Sequence, residues 1–338
     1  MSEEQLVSIV IPAFNGASTI DETLRSVRSQ SHRALEIIVV DDGSRDNTAA
    51  IVTAHAAVDP RIRLIRIANG GVAAARNRGW QEARSDLIAF VDADDLWAPD
   101  KIARQLEAMA AAGPQCGLVY CWHAKIDVNS HVTDNRERPM REGRVLDHLF
   151  RGNFIGNGSA ALVRRQALLD ANGFEANLWR AGAQGCEDIL FYARVAEYHD
   201  FAVVPDFLVG YRYLPENMSS NMRRMLRSWM LVVDEMLVRH PDKHDILMEG
   251  LSSYGGWLTR RALYLRDMGQ FFGVLTLLLQ RYPRTGLSVM KRDIPAAGGQ
   301  LLQRSARHIY RALRRFRHRR RAAPAPAPYI FQIGEIAP

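Results

Sequence analysis

Residues 87–97 read LIAFVDADDLW and combine an apolar run with a cluster of acids. The run 87–91 is typical of a short strand that is buried on both faces of a sheet. Asp92, Asp94 and Asp95 follow directly, and such close carboxylates repel one another unless a positive charge lies among them. Because ligands of α/β sheets bind at the carboxyl ends of strands, this stretch predicts a cation site there.

The spacing of Asp92 and Asp94, with the small Ala93 between them, allows both carboxylates to approach one ion. Oxygen ligands favour a hard cation, Mn²⁺ or Mg²⁺, that keeps positions open for phosphate oxygens. Taken alone, the cluster is equally typical of a solvated acidic turn that caps a helix. The rest of the chain decides between these two interpretations.

Upstream of this cluster, apolar strands alternate with helical segments. Strands are predicted at 7–11 (VSIVI, ended by Pro12), 36–40 (EIIVV) and 62–67, and Thr19 with Glu22 predicts a capping box for the first helix. Strand–helix alternation predicts a mostly parallel sheet. The strand 36–40 also runs into acids, Asp41 and Asp42, so we expect two acidic clusters at the same sheet edge.

Neither common phosphate-binding loop accompanies this sheet. The segment 70–79 (GGVAAARNRG) lacks the G-x-G-x-x-G spacing and follows the third strand rather than the first. A Walker lysine motif is also missing from the sequence. A nucleotide-binding sheet without these loops requires a metal to neutralise the phosphates.

Composition limits the class of protein. The 338 residues suffice for one large α/β domain with an appendage or for two domains, and 47% hydrophobic with 24% charged residues is ordinary for globular chains. The acidic start MSEEQ is unlike a signal peptide, and no apolar run is long enough to span a bilayer. Three cysteines without metal-site spacing fit a reducing compartment, so we expect a cytoplasmic protein.

Several motifs in order resemble glycosyltransferase family 2, whose members are inverting enzymes with the GT-A fold. They are VSIVIPAFNGASTIDETLRSVRSQ, EIIVVDDGSRDNT, NGGVAAARNRGW, FVDADDLWAPDKI, GCEDILFYARV and YRYLPENMSSN. The resemblance covers about residues 6–220. It implies a GT-A nucleotide-sugar-binding and catalytic domain at 1–220, with a Rossmann-like, mostly parallel sheet flanked by helices.

The resemblance also implies roles for individual residues. Asp188 corresponds to the catalytic base and Glu187 is its neighbour in the motif, while Asp92 and Asp94 correspond to the metal-binding DxD pair, with Asp94 the more direct ligand. Phe14 stands where the family often has Tyr, so stacking on the base is kept and a hydroxyl contact is lost. The implied donor-binding residues are Pro12, Ala13, Phe14, Asn15, Asp41, Asp42, Gly71, Arg76, Asn77, Asp92, Ala93, Asp94 and Arg212.

The segment 98–220 is expected to supply the acceptor side. Candidate acceptor contacts are Asp95, Trp97, Asn157 and Trp179, although core packing explains Trp179 equally well. His123 and His131 lack ligand spacing and are interpreted as surface polar residues.

The C-terminal part differs in composition. Residues 221–321 predict a helical extension, and 301–321 combine many arginines with an apolar face at Ile309, Leu313 and Phe316. Such a basic amphipathic helix suits an anionic membrane surface on the cytosolic side, and a solvated basic tail is the alternative. Residues 322–338 are a Pro/Ala-rich tail that we expect to be disordered.

These observations predict an inverting glycosyltransferase that uses a UDP-sugar, a divalent metal and an Asp base. We expect a single displacement onto a hydroxyl of a glycan or lipid-linked acceptor, in surface polysaccharide biosynthesis. One alternative is a sugar nucleotidyltransferase, although PAFNGAS lacks the expected Gly-rich basic loop. The other is a non-enzyme that binds polyanions through the Arg-rich tail; without base-reading motifs, we do not expect nucleic acid to be a partner.

Overall fold

Among the residues that the structure describes, a nine-stranded sheet forms the centre of the protein. The computed structural model describes residues 4–213, 221–296 and 331–332. The strands are β1 Val7–Ala13, β2 Leu35–Asp41, β3 Ile62–Arg66, β4 Leu87–Phe90, β5 Leu96–Trp97, β6 Cys116–Ile126, β7 Val132–Asp134, β8 Leu162–Arg164 and β9 Asp200–Arg212. Every residue of β1, β2 and β4 is buried, as their apolar runs predict.

Helices cover this sheet and continue beyond it. They are α1 Ile20–Arg28, α2 Thr48–Val58, α3 Val72–Glu82, α4 Lys101–Ala112, α5 Leu146–Arg151, α6 Arg165–Asp170, α7 Asn177–Arg180, α8 Glu187–Ala196, α9 Met222–Arg239, α10 His244–Tyr264 and α11 Met268–Arg281. A further helix, α12, is described over 283–296. None of the described helices has the length and apolar character needed to cross a bilayer.

The strand order is β3-β2-β1-β4-β8-β6-β9-β5, with β7 paired to β6. The first four strands are parallel to one another, as the alternation of strands and helices predicts. Beyond them β8 is antiparallel to both β4 and β6, whereas β9 is parallel to β6. The carboxyl ends of β2, β1 and β4 therefore lie side by side at one edge.

Two predicted boundaries in the first α/β segment are wrong. Pro12 does not end β1, because Pro12 and Ala13 continue the pairing with β2, opposite Val40 and Asp41. The side chain of Thr19 does not cap α1. Instead of completing a capping box, Glu22 accepts a hydrogen bond from the Ser130 hydroxyl at 2.7 Å, so a tertiary contact takes the place of the local one.

The helices that follow residue 220 pack onto the sheet domain. Leu226, Trp229 and Leu278 belong to the same hydrophobic core as the strands. A Cβ on Gly250 of α10 would lie 1.9 Å from the carbonyl oxygen of Phe150, so only glycine allows this approach to α5. The predicted domain boundary at 220 stays a prediction. The predicted amphipathic helix 301–321 and nearly all of the tail 322–338 lie outside the described residues.

Candidate active site

The two acidic clusters meet at the carboxyl edge of the sheet. Asp41 is the last residue of β2 and Asp42 follows it, Asp92 and Asp94 follow β4, and β1 runs between these two strands. This is the arrangement that the sequence predicts. The loops after β1, β2 and β4 therefore surround one open edge, where α/β sheets bind their ligands.

The two acids of the β2 cluster differ in their surroundings. Asp41 is fully buried, accepts the N–H of Ser44 at 2.9 Å and pairs with Arg66 Nε at 3.2 Å. Asp42 accepts the N–H groups of Gly70 and Gly71 at 2.7 and 2.9 Å. Burial raises the pKa of Asp42 in spite of these hydrogen bonds. Asp42 thereby fixes the turn that precedes α3.

The loop after β1 leaves an aromatic face open beside this turn. Pro12 and Ala13 are buried, whereas the Phe14 side chain is 51% exposed. Asn15 has a left-handed φ of 50°, donates its N–H to the Ser44 hydroxyl at 2.9 Å and accepts the N–H of Arg45 at 2.9 Å. These contacts hold Phe14 at the edge, in a place suited to stacking on a nucleobase.

The DxD pair has an excess of negative charge. Asp92 pairs with Arg76 Nη2 at 2.6 Å. Asp94 is partly exposed, and burial together with the charge of Asp92 raises its pKa to about 6. Two hard oxygen donors whose repulsion raises a pKa fit a divalent cation. No group of three His, Cys, Asp or Glu residues suited to a metal occurs in the described ranges, so a cation here needs ligands from water or from a substrate.

Arg76 connects the DxD pair to the predicted base. It is almost fully buried, and its Nη1 lies 3.8 Å from a Glu187 carboxylate oxygen. Burial acts to lower its pKa, but the charges of Asp92 and Glu187 outweigh this effect and raise the pKa. Its Nε and Nη1 atoms are buried without a hydrogen-bond partner among the described residues. The positive charge of Arg76 thus partly neutralises Asp92 on one side of the site and Glu187 on the other.

The predicted base lies in the first turn of α8. Asp188 is partly exposed and accepts a hydrogen bond from Asn153 Nδ2 at 3.0 Å. Burial and the neighbouring Glu187 raise the pKa of Asp188 to about 7. The Glu187 side chain points into the protein, where its carboxylate accepts the N–H of Gly185 at 2.9 Å. A carboxylate with a pKa near neutrality is suited to proton transfer.

Asn153 is a site residue that our sequence analysis did not single out. Its side-chain oxygen accepts the N–H groups of Ile155 and Gly156 at 3.1 and 3.0 Å, and its amide nitrogen orients Asp188. The loop sequence NFIGNG was the only signal for it. The interpretation of His123 as a surface residue is wrong, since His123 is 8% exposed and packs edge-on against Tyr211.

Two predicted acceptor contacts are contradicted by burial. Asp95 is fully buried and accepts hydrogen bonds from the Ser159 hydroxyl and the Arg212 N–H. Trp97 is also fully buried, and its indole N–H donates to the Ser159 carbonyl at 3.0 Å. Both residues hold the DxD turn from inside. Asn157 is 4% exposed, with its Nδ2 lacking a partner in the described part of the chain, so its acceptor role stays a prediction.

The predicted role of Arg212 over the donor phosphates stays a prediction, and its side chain makes internal contacts. Its side chain is 1% exposed, donates to the Asp94 carbonyl at 2.8 Å and pairs with Glu22 at 2.6 Å. The donor-binding role of Asn77 also stays a prediction, and its side chain exchanges two hydrogen bonds with the backbone of Phe174, at 2.7 and 2.9 Å. Both side chains are committed to internal contacts and position loops of the site.

Trp179 lies at the mouth of the site. It is 41% exposed, and a Cβ on Gly71 would lie 3.1 Å from its ring. Gly71 has a φ of +87°, so the turn held by Asp42 needs glycine both for its backbone and for this contact. Trp179 therefore borders the turn that Asp42 holds at the carboxyl edge of the sheet, and its contact with an acceptor stays a prediction.

Solved structures share this architecture. S. aureus TarS 1-349 in complex with UDP-GlcNAc aligns with a TM-score of 0.62 and 18% identity over 84% of each chain. A mannosyltransferase, PcManGT from Pyrobaculum calidifontis in complex with GDP-Man and Mn²⁺, aligns with a TM-score of 0.58 and 19% identity over 93% of this chain and 84% of that one. The fold is therefore of the GT-A glycosyltransferase type, with a C-terminal helical region.

Sequence comparison gives the family. Residues 8–170 match the model of glycosyl transferase family 2. The predicted resemblance is thus confirmed. The putative teichuronic acid biosynthesis glycosyltransferase TuaG of Bacillus subtilis is 41% identical over 105 residues, which are 31% of this chain. The match spans 42% of the length of TuaG.

Proposed function

We propose that the protein is an inverting glycosyltransferase that moves a sugar from a UDP-sugar to a hydroxyl of a glycan or lipid-linked acceptor. The observation that carries the proposal is the chain of contacts from Asp92 through Arg76 to Glu187, with Asp188 beside it. This chain of contacts supports the proposal, because the acids proposed to bind the diphosphate and to act as the base then lie in one site. The match to TuaG and the UDP-GlcNAc complex of TarS support a surface-polysaccharide role and a UDP-linked donor.

The donor is proposed to lie along the carboxyl edge of the sheet. Phe14 stacks on the base, and Asp42 with the turn at Gly71 forms the floor of the nucleotide site. Asp92 and Asp94 would hold Mn²⁺ or Mg²⁺, which neutralises the charge that develops on the departing diphosphate. Arg76 keeps Asp92 in place, because its guanidinium donates to that carboxylate.

The proposed reaction is a single displacement. An acceptor hydroxyl attacks the anomeric carbon from the face opposite the diphosphate, and the bond from that carbon to the diphosphate oxygen breaks. Asp188 takes the hydroxyl proton, and UDP leaves with the bonding electrons. A positioned base contributes about 10²–10⁴-fold to such a step. The leaving diphosphate needs no protonation once its charge is neutralised, so one catalytic carboxylate suffices.

The first experiment is a screen of nucleotide-sugars for protection against thermal unfolding in Mn²⁺. A UDP-sugar at about 100 times its dissociation constant is expected to stabilise the protein by about 2.7 kcal/mol. GDP-sugars at the same concentration are the matched control. Protection by GDP-sugars alone would contradict the UDP assignment, and the absence of protection by any nucleotide-sugar would contradict the proposed function.

A further inference from the structure

A basic groove lies between α9 and α11, next to the candidate active site. It has a volume of about 560 Å³ and is lined by Arg223, Arg224 and Arg227 on one side and by Phe272 and Leu277 on the other. All three arginines are exposed. Within the described part of the chain, none of the three forms an ion pair.

The placement of these arginines is unfavourable for the helix itself. They lie in the first two turns of α9, where the helix dipole disfavours positive charge. Arg223 and Arg227 are also four residues apart, a spacing at which like charges repel. Asp267, which precedes α11, accepts the N–H of Gln270 and keeps its negative charge, so it offsets at most one of the three arginines. The groove thus holds an unbalanced positive charge.

The groove adjoins the loop that leads to the base. Arg224 Nη1 donates to Gln184 Oε1 at 3.4 Å, and a Cβ on Gly182 would lie 3.2 Å from Arg227 Nη1. The Cys186 thiol contacts the carbonyl of Met225 at 3.6 Å. Gln184 is four residues before Asp188, and four residues of extended chain span at most about 14 Å. A ligand that binds at Arg224 is therefore close to Asp188, the proposed base.

We infer that this groove binds a phosphate or diphosphate group carried by the acceptor substrate. This inference rests on the proposed function and gives the acceptor a chemical class. Guanidinium groups suit phosphate because their planar forks donate two hydrogen bonds to it. The apolar wall at Phe272 and Leu277 suits the carbon chain attached to that phosphate. The concave shape selects a single phosphate group over the flat surface of an anionic membrane.

The test measures binding of geranyl diphosphate to the full-length chain by calorimetry, with UDP and Mn²⁺ saturating the donor site. Geraniol is the probe without phosphate. The double variant Arg224→Gln, Arg227→Gln is expected to bind geranyl diphosphate at least about 10-fold more weakly than the parent. Arg33→Gln removes an exposed arginine at the opposite sheet edge and should bind like the parent. All three proteins keep the Arg-rich tail, so the difference reports on the groove.

Three results would overturn the inference. One is a parent protein that does not distinguish geranyl diphosphate from geraniol. Another is a double variant that unfolds at the parental temperature and binds the diphosphate as tightly as the parent. The third is a double variant that loses only its binding to phosphatidylglycerol vesicles, which would make the groove a membrane contact. Failure of UDP to bind would count against the proposed donor, whereas the comparison of variants would still test the groove.

Discussion

At the scale of single residues, the site is organised by shared charge. Asp92 and Glu187 flank the buried guanidinium of Arg76 and raise its pKa. The charge of Asp188 raises the pKa of Arg76 further. The single positive charge of Arg76 does not neutralise Asp92, Glu187 and Asp188 together. The pKa of Asp188 is therefore raised to about 7. A carboxylate of this kind is half-protonated near neutral pH and exchanges protons readily with a substrate hydroxyl.

The first residue-scale prediction concerns Asp188→Asn, which keeps the size of the side chain and removes its ability to take a proton. Turnover is expected to fall by about 10²-fold or more, with the affinity for UDP unchanged. The parent should lose activity as pH falls through about 7, because protonation of Asp188 removes the base. Residual turnover of the variant should lack this acidic limb. The measurement is kcat between pH 5 and pH 9.

Glu187→Gln is the matched control for this substitution. Because Glu187 accepts the N–H of Gly185, its neutralisation should loosen the loop. The acidic limb of the pH profile should remain and move to lower pH, because the charge of Glu187 no longer raises the pKa of Asp188. If Asp188→Asn retains turnover while Glu187→Gln is inactive, the two roles are exchanged.

Sequence motifs predicted the acids at the strand ends. A buried apolar run followed by acids shows where a strand ends, and ligands of α/β sheets bind at that end. They did not predict which side chains turn inward. Asp95 and Arg212 are 117 residues apart and meet through a backbone N–H, so no local pattern marks Asp95 as internal. Asn153 was missed for the same reason, since its partner Asp188 lies 35 residues away.

At the scale of elements, Arg212 links three parts of the fold. It ends β9, donates to the carbonyl of Asp94 after β4 and pairs with Glu22 of α1. It also donates to the carbonyl of Asp127 between β6 and β7, at 3.0 Å. The buried guanidinium of Arg212 therefore helps to fix the backbone of the DxD turn.

Arg212→Met is predicted to destabilise the protein by about 3 kcal/mol, because several buried acceptors lose their donor at once. Donor affinity should fall as well, since the turn that carries Asp94 loses its support. The matched control is Arg25→Met, which removes an exposed pair on α1 and should change stability little. Urea unfolding measures both variants. Equal stability of the two would contradict the structural role of Arg212.

Elements with strong periodicity were predicted well, and short ones were not. The four parallel strands and the helices between them follow from their apolar runs. The strands β5 and β7 have only 2 and 3 residues, and such short segments carry no usable alternation. They form because β9 and β6 offer an edge to pair with, which is a tertiary cause.

At the scale of the whole molecule, the C-terminal helices share one hydrophobic core with the sheet domain. The first turns of α9 pack against the loop before the base, and α10 packs against α5 through Gly250. Composition predicted a helical region here and favoured its packing on the sheet domain over a membrane role, without indicating which surfaces would meet. Its contact with the loop before Asp188 is the structural basis for the proposed acceptor groove.

The prediction for the whole chain concerns the arginine-rich segment 301–321, which lies outside the described residues. Truncation after Gly299 should release the protein from anionic vesicles and leave UDP binding unchanged, because the proposed site lies upstream. Each arginine near an anionic surface contributes about 1 kcal/mol, and salt weakens the effect. Cosedimentation with phosphatidylglycerol vesicles at low and high salt measures it. Parent protein that ignores these vesicles at low salt would contradict the proposed membrane contact.

The most direct test of the account is the binding of UDP to Asp94→Ala in the presence and absence of Mn²⁺. Asp86→Ala is the matched control, because Asp86 is an exposed acid just before the amino end of the same strand. We predict that the parent and Asp86→Ala bind UDP only with Mn²⁺, and that Asp94→Ala is folded and does not bind. An Asp94→Ala variant that binds UDP in Mn²⁺ as tightly as the parent would contradict the metal-assisted donor site.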